Sequence, residues 1–153
     1  MEMSPEQKTR HETQEHINNV RMFLEIIMHQ IIERAKNHDR TKLEEPEFST
    51  FVEYTPKLKD STYGSPEYKE FLKGMEVALD HHYAHNRHHP EFFENGIDGM
   101  DLVDLIEMMC DWKAATLRHD NGDINKSIEI NTERFNLSPQ LVNILKNTIK
   151  IFE

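Results

Sequence analysis

Apolar residues recur at steps of three and four along most of this chain, and no stretch alternates with the period of two that marks a half-buried strand. Ile17, Val20, Leu24, Ile27 and Ile31 form one such stripe, which predicts a first helix from about Pro5 to Ala35. Its start, Ser4-Pro5-Glu6, has counterparts in Ser65-Pro66-Glu67 and Ser138-Pro139-Gln140. In each, serine can cap the free N–H groups of a helix and proline suits the first helical position. A polar segment, Lys36–Glu47, carries the pair His38-Asp39 and leads to a short helix over about Glu47–Tyr54, ended by Thr55-Pro56. A third helix is expected from Pro66 to His89, stopped by Pro90, and Asn95–Gly99 reads as a loop with two glycines. A fourth helix over about Met100–Arg118, a turn at His119–Asp123 and two closing helices, about Ile124–Phe135 and Pro139–Ile151, complete the chain. The expectation is an all-α fold: one compact helical domain over residues 1–153, built from five to seven helices.

Composition narrows the function classes. With only 5 Gly and 6 Pro, a Gly-rich phosphate loop and a turn-dense β-sandwich are both disfavoured. Lys and Arg number 18 against 28 Asp and Glu, a net charge of −10. That balance argues against nonspecific binding to DNA, RNA or anionic membranes, where a basic surface supplies most of the affinity. The single cysteine, Cys110, rules out an internal disulfide and fits a reducing compartment. The first residues, Met1 to Gln7, are polar and acidic, without the apolar stretch of a signal peptide. No apolar run approaches the ~18 residues of a membrane span. The expectation is a soluble, cytoplasmic protein with no membrane partner.

Histidine changes the picture. The chain has 10, and five of them lie between positions 81 and 89. On the expected third helix, Phe71, Met75, Ala78, His82, His85 and His89 follow alternating steps of four and three, so the histidines continue the stripe that faces the core. Neutral imidazoles converging on one small space call for a shared cation, and imidazole is a preferred ligand of Zn, Fe, Mn or Ni. His81 and His88 lie on a neighbouring face and could replace one of the three. On the fourth helix, Asp104, Glu107 and Asp111 fall within about 60° of one another, with Arg118 on the same line. Val103, Cys110 and Ala114 flank that stripe on one side and Met108 and Ala115 on the other, with Leu102, Leu105, Met109 and Trp112 behind. A helix apolar nearly all round is a buried one, and buried carboxylates need cations or strong donors. The third element is His38-Asp39 in Asn37-His38-Asp39-Arg40-Thr41-Lys42, just past a long helix; His119-Asp120 is a second His-Asp pair.

In this arrangement the chain resembles the HD-domain superfamily of metal-dependent phosphohydrolases, all-helical proteins that gather a His-Asp pair, later histidines and a final helical Asp around one or two metals. The matching residues are His38 and Asp39, then His82 and His85 or His89, then Asp111 within Cys110-Asp111-Trp112-Lys113. The whole chain also resembles an uncharacterised family of small proteins from phage and Gram-positive bacteria. The superfamily places a further histidine before the His-Asp pair, and His16 is the sequence match. No Gly or Pro separates positions 16 and 38, so a continuous helix would hold them roughly 33 Å apart. His16 is therefore left out of the site, and His29, a lone histidine on an apolar helix, reads as structural.

The resemblance implies a metal-dependent phosphohydrolase acting on a nucleotide or related small phosphate ester through a metal-activated water. The metal ligands would come from His38, Asp39, His82, His85, His89, Glu107 and Asp111, and the ion would be a divalent Zn, Mn, Fe, Co, Ni or Mg. Asp39 would be both ligand and general base. Lys42, Arg87 and Arg118, each following a ligand segment, would hold the phosphate. The alternative is a nonenzymatic, metal-stabilised helical interaction protein of phage or bacterial origin, using the same ligands with all coordination positions filled. A ferritin-like di-iron oxidase is disfavoured, since that bundle needs Glu-x-x-His pairs and the chain has none. Cysteine nucleophilic catalysis is disfavoured because the carboxylates around Cys110 raise a thiol pKa.

Overall fold

The computed structural model describes residues 3–62, 64–118 and 122–152; His119 and Asp120, and with them most of the expected turn, lie outside the described residues. Seven α-helices and no strand are present among the described residues. The chain divides into two units, residues 1–37 and 38–153.

The first unit is essentially one helix, α1 (Pro5–Asn37). Ser4 accepts from the Gln7 N–H at 3.2 Å, and the Gln7 side chain accepts from the Ser4 N–H at 2.9 Å, so two orphan donors of the first turn are satisfied reciprocally. No residue of α1 is buried.

The second unit opens with His38 and Asp39, a 3-10 turn at Arg40–Leu43, and then α2 (Phe48–Asp60), α3 (Pro66–Gly74), α4 (Glu76–His85), two further 3-10 turns at Pro90–Phe92 and Gly96–Gly99, α5 (Leu102–Thr116), α6 (Ile124–Phe135) and α7 (Pro139–Thr148). Ser65 caps α3 through the Tyr68 N–H and Ser138 caps α7 through the Leu141 N–H. Both Ser-Pro signals therefore start helices where they were expected to.

Three boundaries differ from expectation. The second helix does not stop at Thr55-Pro56 but continues through Pro56 to Asp60. Proline removes one helical N–H, and the turn that contains it is held by Lys57, which bonds Glu53 at 2.7 Å and lies over the Tyr54 ring. The single helix expected from Pro66 to His89 is two helices divided at Met75, whose φ of −96° and ψ of 0° stray from ideal helical values. Gly74, just before the break, gives the Tyr54 ring space that a Cβ would occupy. The second piece ends at His85, because Asn86 is extended and its side-chain amide donates to the His82 carbonyl at 2.8 Å. His88 and His89 therefore stand on a loop, outside any helical register.

The core of this unit lies where α5, α6 and α7 meet. Met109, Ile124, Ile128, Leu137, Leu145 and Ile149 are buried together, with Trp112 stacked parallel to Phe135 at its edge. Helix α5 thus gives one face, Met109 and Trp112, to the core, which leaves Asp104, Glu107 and Asp111 facing the loop that carries His88. It is not buried all round, since Leu102 and Cys110 are exposed.

Ile128 has no exposed surface. Its replacement by Ala should cost about 2–5 kcal/mol, the range for deleting a large buried aliphatic side chain. Urea unfolding followed by circular dichroism measures this as a lower midpoint at unchanged slope.

Candidate metal centre

Three segments far apart in sequence meet in the second unit: residues 38–42, residues 82–89 and the middle of α5. Asp39 adopts a left-handed backbone (φ 53°, ψ 17°), a conformation that Asp and Asn tolerate better than most residues. That turn follows the end of α1 directly and carries the Asp39 carboxylate to two histidines. Oδ1 lies 3.3 Å from His82 Nε2 and 3.3 Å from His88 Nε2, while Oδ2 accepts from Lys42 Nζ at 2.5 Å and lies 3.6 Å from His38 Nε2. His82 Nε2 is in turn 3.0 Å from His89 Nε2. His38 Nε2 lies 3.6 Å from Asp111 Oδ1. Two overlapping groups emerge, Asp39 with His82, His88 and His89, and His38 with His88 and Asp111; within each, the candidate ligand atoms lie within 4.8 Å of one another.

Three of the imidazoles, His38, His82 and His88, present Nε2 to this space because carboxylates hold their other nitrogens. Glu47, with no exposed surface, accepts from His82 Nδ1 at 2.9 Å and from His81 Nδ1 at 2.7 Å. Glu107 Oε1 accepts from His38 Nδ1 at 2.9 Å and lies 3.2 Å from His88 Nδ1. An ionised carboxylate can only accept, so each of these contacts places the proton on Nδ1 and turns Nε2 inward. Carboxylates behind ligand imidazoles are a recurrent feature of metal sites, where they fix tautomer and ring orientation.

Two buried atoms at the centre, Asp39 Oδ1 and His88 Nε2, make no hydrogen bond. Such orphans are costly in a protein interior. Two nitrogen or oxygen ligands of one ion, each about 2.1 Å from it, stand roughly 3.0–3.4 Å apart in octahedral or tetrahedral geometry. Three separations, from Asp39 to His82 and to His88 and from His82 to His89, fall in that range. The residues present therefore fit a divalent cation. Four imidazoles and two carboxylates suit Zn, Fe, Ni or Co better than the oxygen-preferring Mg.

The electrostatics agree. Hydrogen bonds to Asp111 and Glu107 push His38 up to about 10, against burial. Burial pushes the Asp39 carboxyl up, but the nearby His82 and His88 rings and the Lys42 ammonium outweigh it and hold the group well below the usual carboxylate range. Burial likewise opposes the charged form of His88, and the nearby carboxylates of Asp39 and Glu107 prevail and raise it. Burial, with the charges of His88 and His82, brings His89 down to about 3. Burial works against ionised Asp111 too, yet the His38 bond keeps its carboxyl low.

Of the residues expected in the site, His38, Asp39, His82, His89 and Asp111 converge and Lys42 joins them through Asp39. Four do not stand where they were expected. His85 is exposed and donates from Nδ1 to the His81 carbonyl at 2.7 Å; the helix ends there, and His88 takes the inward place instead. Glu107 lies behind two imidazoles as their acceptor, away from the metal-facing nitrogens. Arg87 is not at the centre: it forks onto the fully buried Asp104 with bonds of 3.1 and 2.9 Å and packs over Phe92 and Phe93. Arg118 is exposed beyond the end of α5. The residue that sequence reasoning missed is Glu47. Its position at the expected start of a helix reads as an ordinary acidic first-turn residue, and no local pattern marks it as buried.

Arg87→Ala would strip Asp104 of its guanidinium partner and should destabilise the fold by about 1–3 kcal/mol while leaving metal uptake intact; paired unfolding and metal-binding titrations separate the two effects.

The pH dependence of metal-free stability also follows. His38 is raised above its unfolded value of about 6.5, so its contribution is full below 6.5 and is lost as pH rises toward 10. His89 is depressed, so the unfolded chain takes up its proton preferentially and stability falls as pH drops from 6.5 toward 3. Thermal melts of chelator-treated protein should peak near pH 6.5, and His38→Gln should flatten the alkaline limb.

No curated protein and no solved structure matches the chain. A family model matches residues 5–151, which takes in every residue of the site. The chain belongs to that family, the family of unknown function DUF5662.

Proposed function

We propose that the protein is a metal-dependent phosphohydrolase acting on a small phosphate ester, a nucleotide being the expected substrate. The observation that carries the reading is the pair of buried, unsatisfied atoms, Asp39 Oδ1 and His88 Nε2, facing each other at 3.3 Å among further ligand-type atoms. A divalent ion bound there would lower the pKa of a coordinated water toward 7 and polarise a phosphoryl oxygen. His82, His88 and His89 would hold it with Asp39, and His38 with Asp111 would complete the set.

Solvent access favours catalysis over a purely structural metal. His82 and His88 are buried, whereas the side chains of His38, Asp39, Lys42 and Asp111 keep 18–29% of their surface. The centre thus has a closed floor of imidazoles and an open rim of carboxylates with one ammonium, and a catalytic ion needs such an open side. Asp39, held ionised, is the acceptor at the rim for a proton from water. Lys42 Nζ, bonded to Asp39 and lying over the Phe51 ring, supplies positive charge there. A chain of net charge −10 needs that local reversal to bind an anion. The resemblance to the HD-domain superfamily agrees in reaction class. The competing reading, a metal-stabilised interaction protein, uses the same ligands without turnover.

Elemental analysis of purified protein, together with phosphate release from a nucleotide and phosphodiester panel in Mn, Fe, Co, Ni and Zn, tests the proposal. Asp39→Asn should lower turnover by about 10²–10⁴ if only proton acceptance is lost, and abolish it if metal is lost too, with the fold retained. Lys42→Ala should chiefly raise KM, by the equivalent of about 1.5–3 kcal/mol for a charge-assisted contact. Metal present and no turnover across the panel would favour the interaction protein.

A further inference from the structure

Helix α1 carries nine exposed large apolar side chains. Every residue from 3 to 30 is exposed. Ile17 is 45% exposed, Val20 43%, Leu24 61%, Ile27 45% and Met28 56%. These are not scattered. Ile17, Val20, Leu24, Ile27, Ile31 and Ala35 fall within an arc of about 100°, and Ile17, Val20, Leu24 and Met28 line a shallow groove along the helix with Arg21 and Glu25 at its edge. Glu25, His29, Glu33 and Lys36 occupy the opposite side together with Met22 and Ile26, so the polar residues there are interrupted where the stripe is not.

Three features of this face specify its occupant. The spacing 17, 20, 24, 27, 31 alternates steps of three and four, the repeat that seats one helix along another. The area reaches the lower end of specific interfaces: Ile17, Val20, Leu24, Ile27 and Met28, 43–61% exposed, with Ile31 and Ala35, present on the order of 600 Å² per helix, against ~1,200 Å² in total for the smallest such interfaces. The charge is self-compatible. In a chain of net charge −10, residues 5–37 carry five basic and five acidic side chains and are neutral. Between Glu6 and Glu15 there are three acids and two bases, and between Arg21 and Lys36 three bases and two acids. Two copies laid head to tail about Leu24 set Glu12 of one level with Lys36 of the other and Glu15 with Glu33, whereas a parallel pair would set every charge level with its like.

We propose that α1 docks antiparallel on α1 of a second copy of this chain, along the seam from Ile17 to Ile31 and centred near Leu24. The pair is isologous, each helix presenting the same surface to its partner. It buries side chains that a lone helix leaves in water, where even long helices draw most of their stability from packing.

Sedimentation equilibrium of the full chain reads the assembly. The expected mass is twice the 18.2 kDa of one chain, and Leu24→Glu with Ile27→Glu should weaken dimerisation by about 100-fold or more through buried, unpaired charge, with the helical circular dichroism of the second unit retained. Thiol cross-linking reads the direction, in a Cys110→Ser background. Leu24→Cys should link to itself across the two-fold, and Ile17→Cys should not. A monomeric wild type at high micromolar concentration overturns the proposal, as does a dimer that the double substitution leaves intact. Self-linking of both cysteine variants would overturn the antiparallel arrangement.

Discussion

Carboxylates taken out of water must be met by cations or donors, and the second unit is organised around that requirement. Glu47 and Asp104 have no exposed surface at all. Asp104 is met by a guanidinium, Arg87, and by the backbone N–H of Asp101. Glu47 is met by imidazoles, and so are Glu107 and Asp39. The difference sorts the acids by role. A guanidinium fork is permanently charged and saturates its carboxylate, so Asp104 caps α5 and anchors the loop before it. An imidazole has a second nitrogen, so each acid that holds one by Nδ1 sends a lone pair or a proton onward to the next group. Chains of this kind run from Glu47 through His82, and from Glu107 through His38 and His88, and they end on Asp39 and Asp111.

The centre therefore carries its charge in an unusual state for a protein interior. Its imidazoles are pulled in opposite directions, His38 toward the cation by the acids around it and His89 toward the neutral base by burial and like charges. Neighbouring histidines with such divergent proton affinities balance the carboxylates together with the Lys42 ammonium. A divalent ion would perform the same neutralisation with fewer protons.

Much of this was legible in the sequence, and the limits have physical causes. The Ser-Pro starts are local signals and placed their helices well, because capping depends on the few residues that make it. The pairing of His38 and Asp39 with Asp111 and with the histidine cluster was visible from residue type and context. The choice among the histidines was not. Assigning His82, His85 and His89 to one face assumed an unbroken helix, and Asn86, by bonding the His82 carbonyl, ends it one residue after His85. Past that point the period of 3.6 no longer applies and His88 turns inward. Glu47 lay beyond reach for a different reason: its burial is set by partners 34 and 35 residues away.

The converging segments have a consequence for the way this chain is held together. Between Asp39 and His82 lie about 40 residues, and between His88 and Asp111 about 20. Whatever ties these side chains together closes two long loops, a step that carries an entropic cost in the unfolded chain. A chain with one cysteine has no covalent tie of its own. The polar centre does the work that a cross-link does in a secreted domain of similar size, and it does so reversibly. It can only form once all three segments have met, so its presence reports on the fold of the whole unit and not on any one helix.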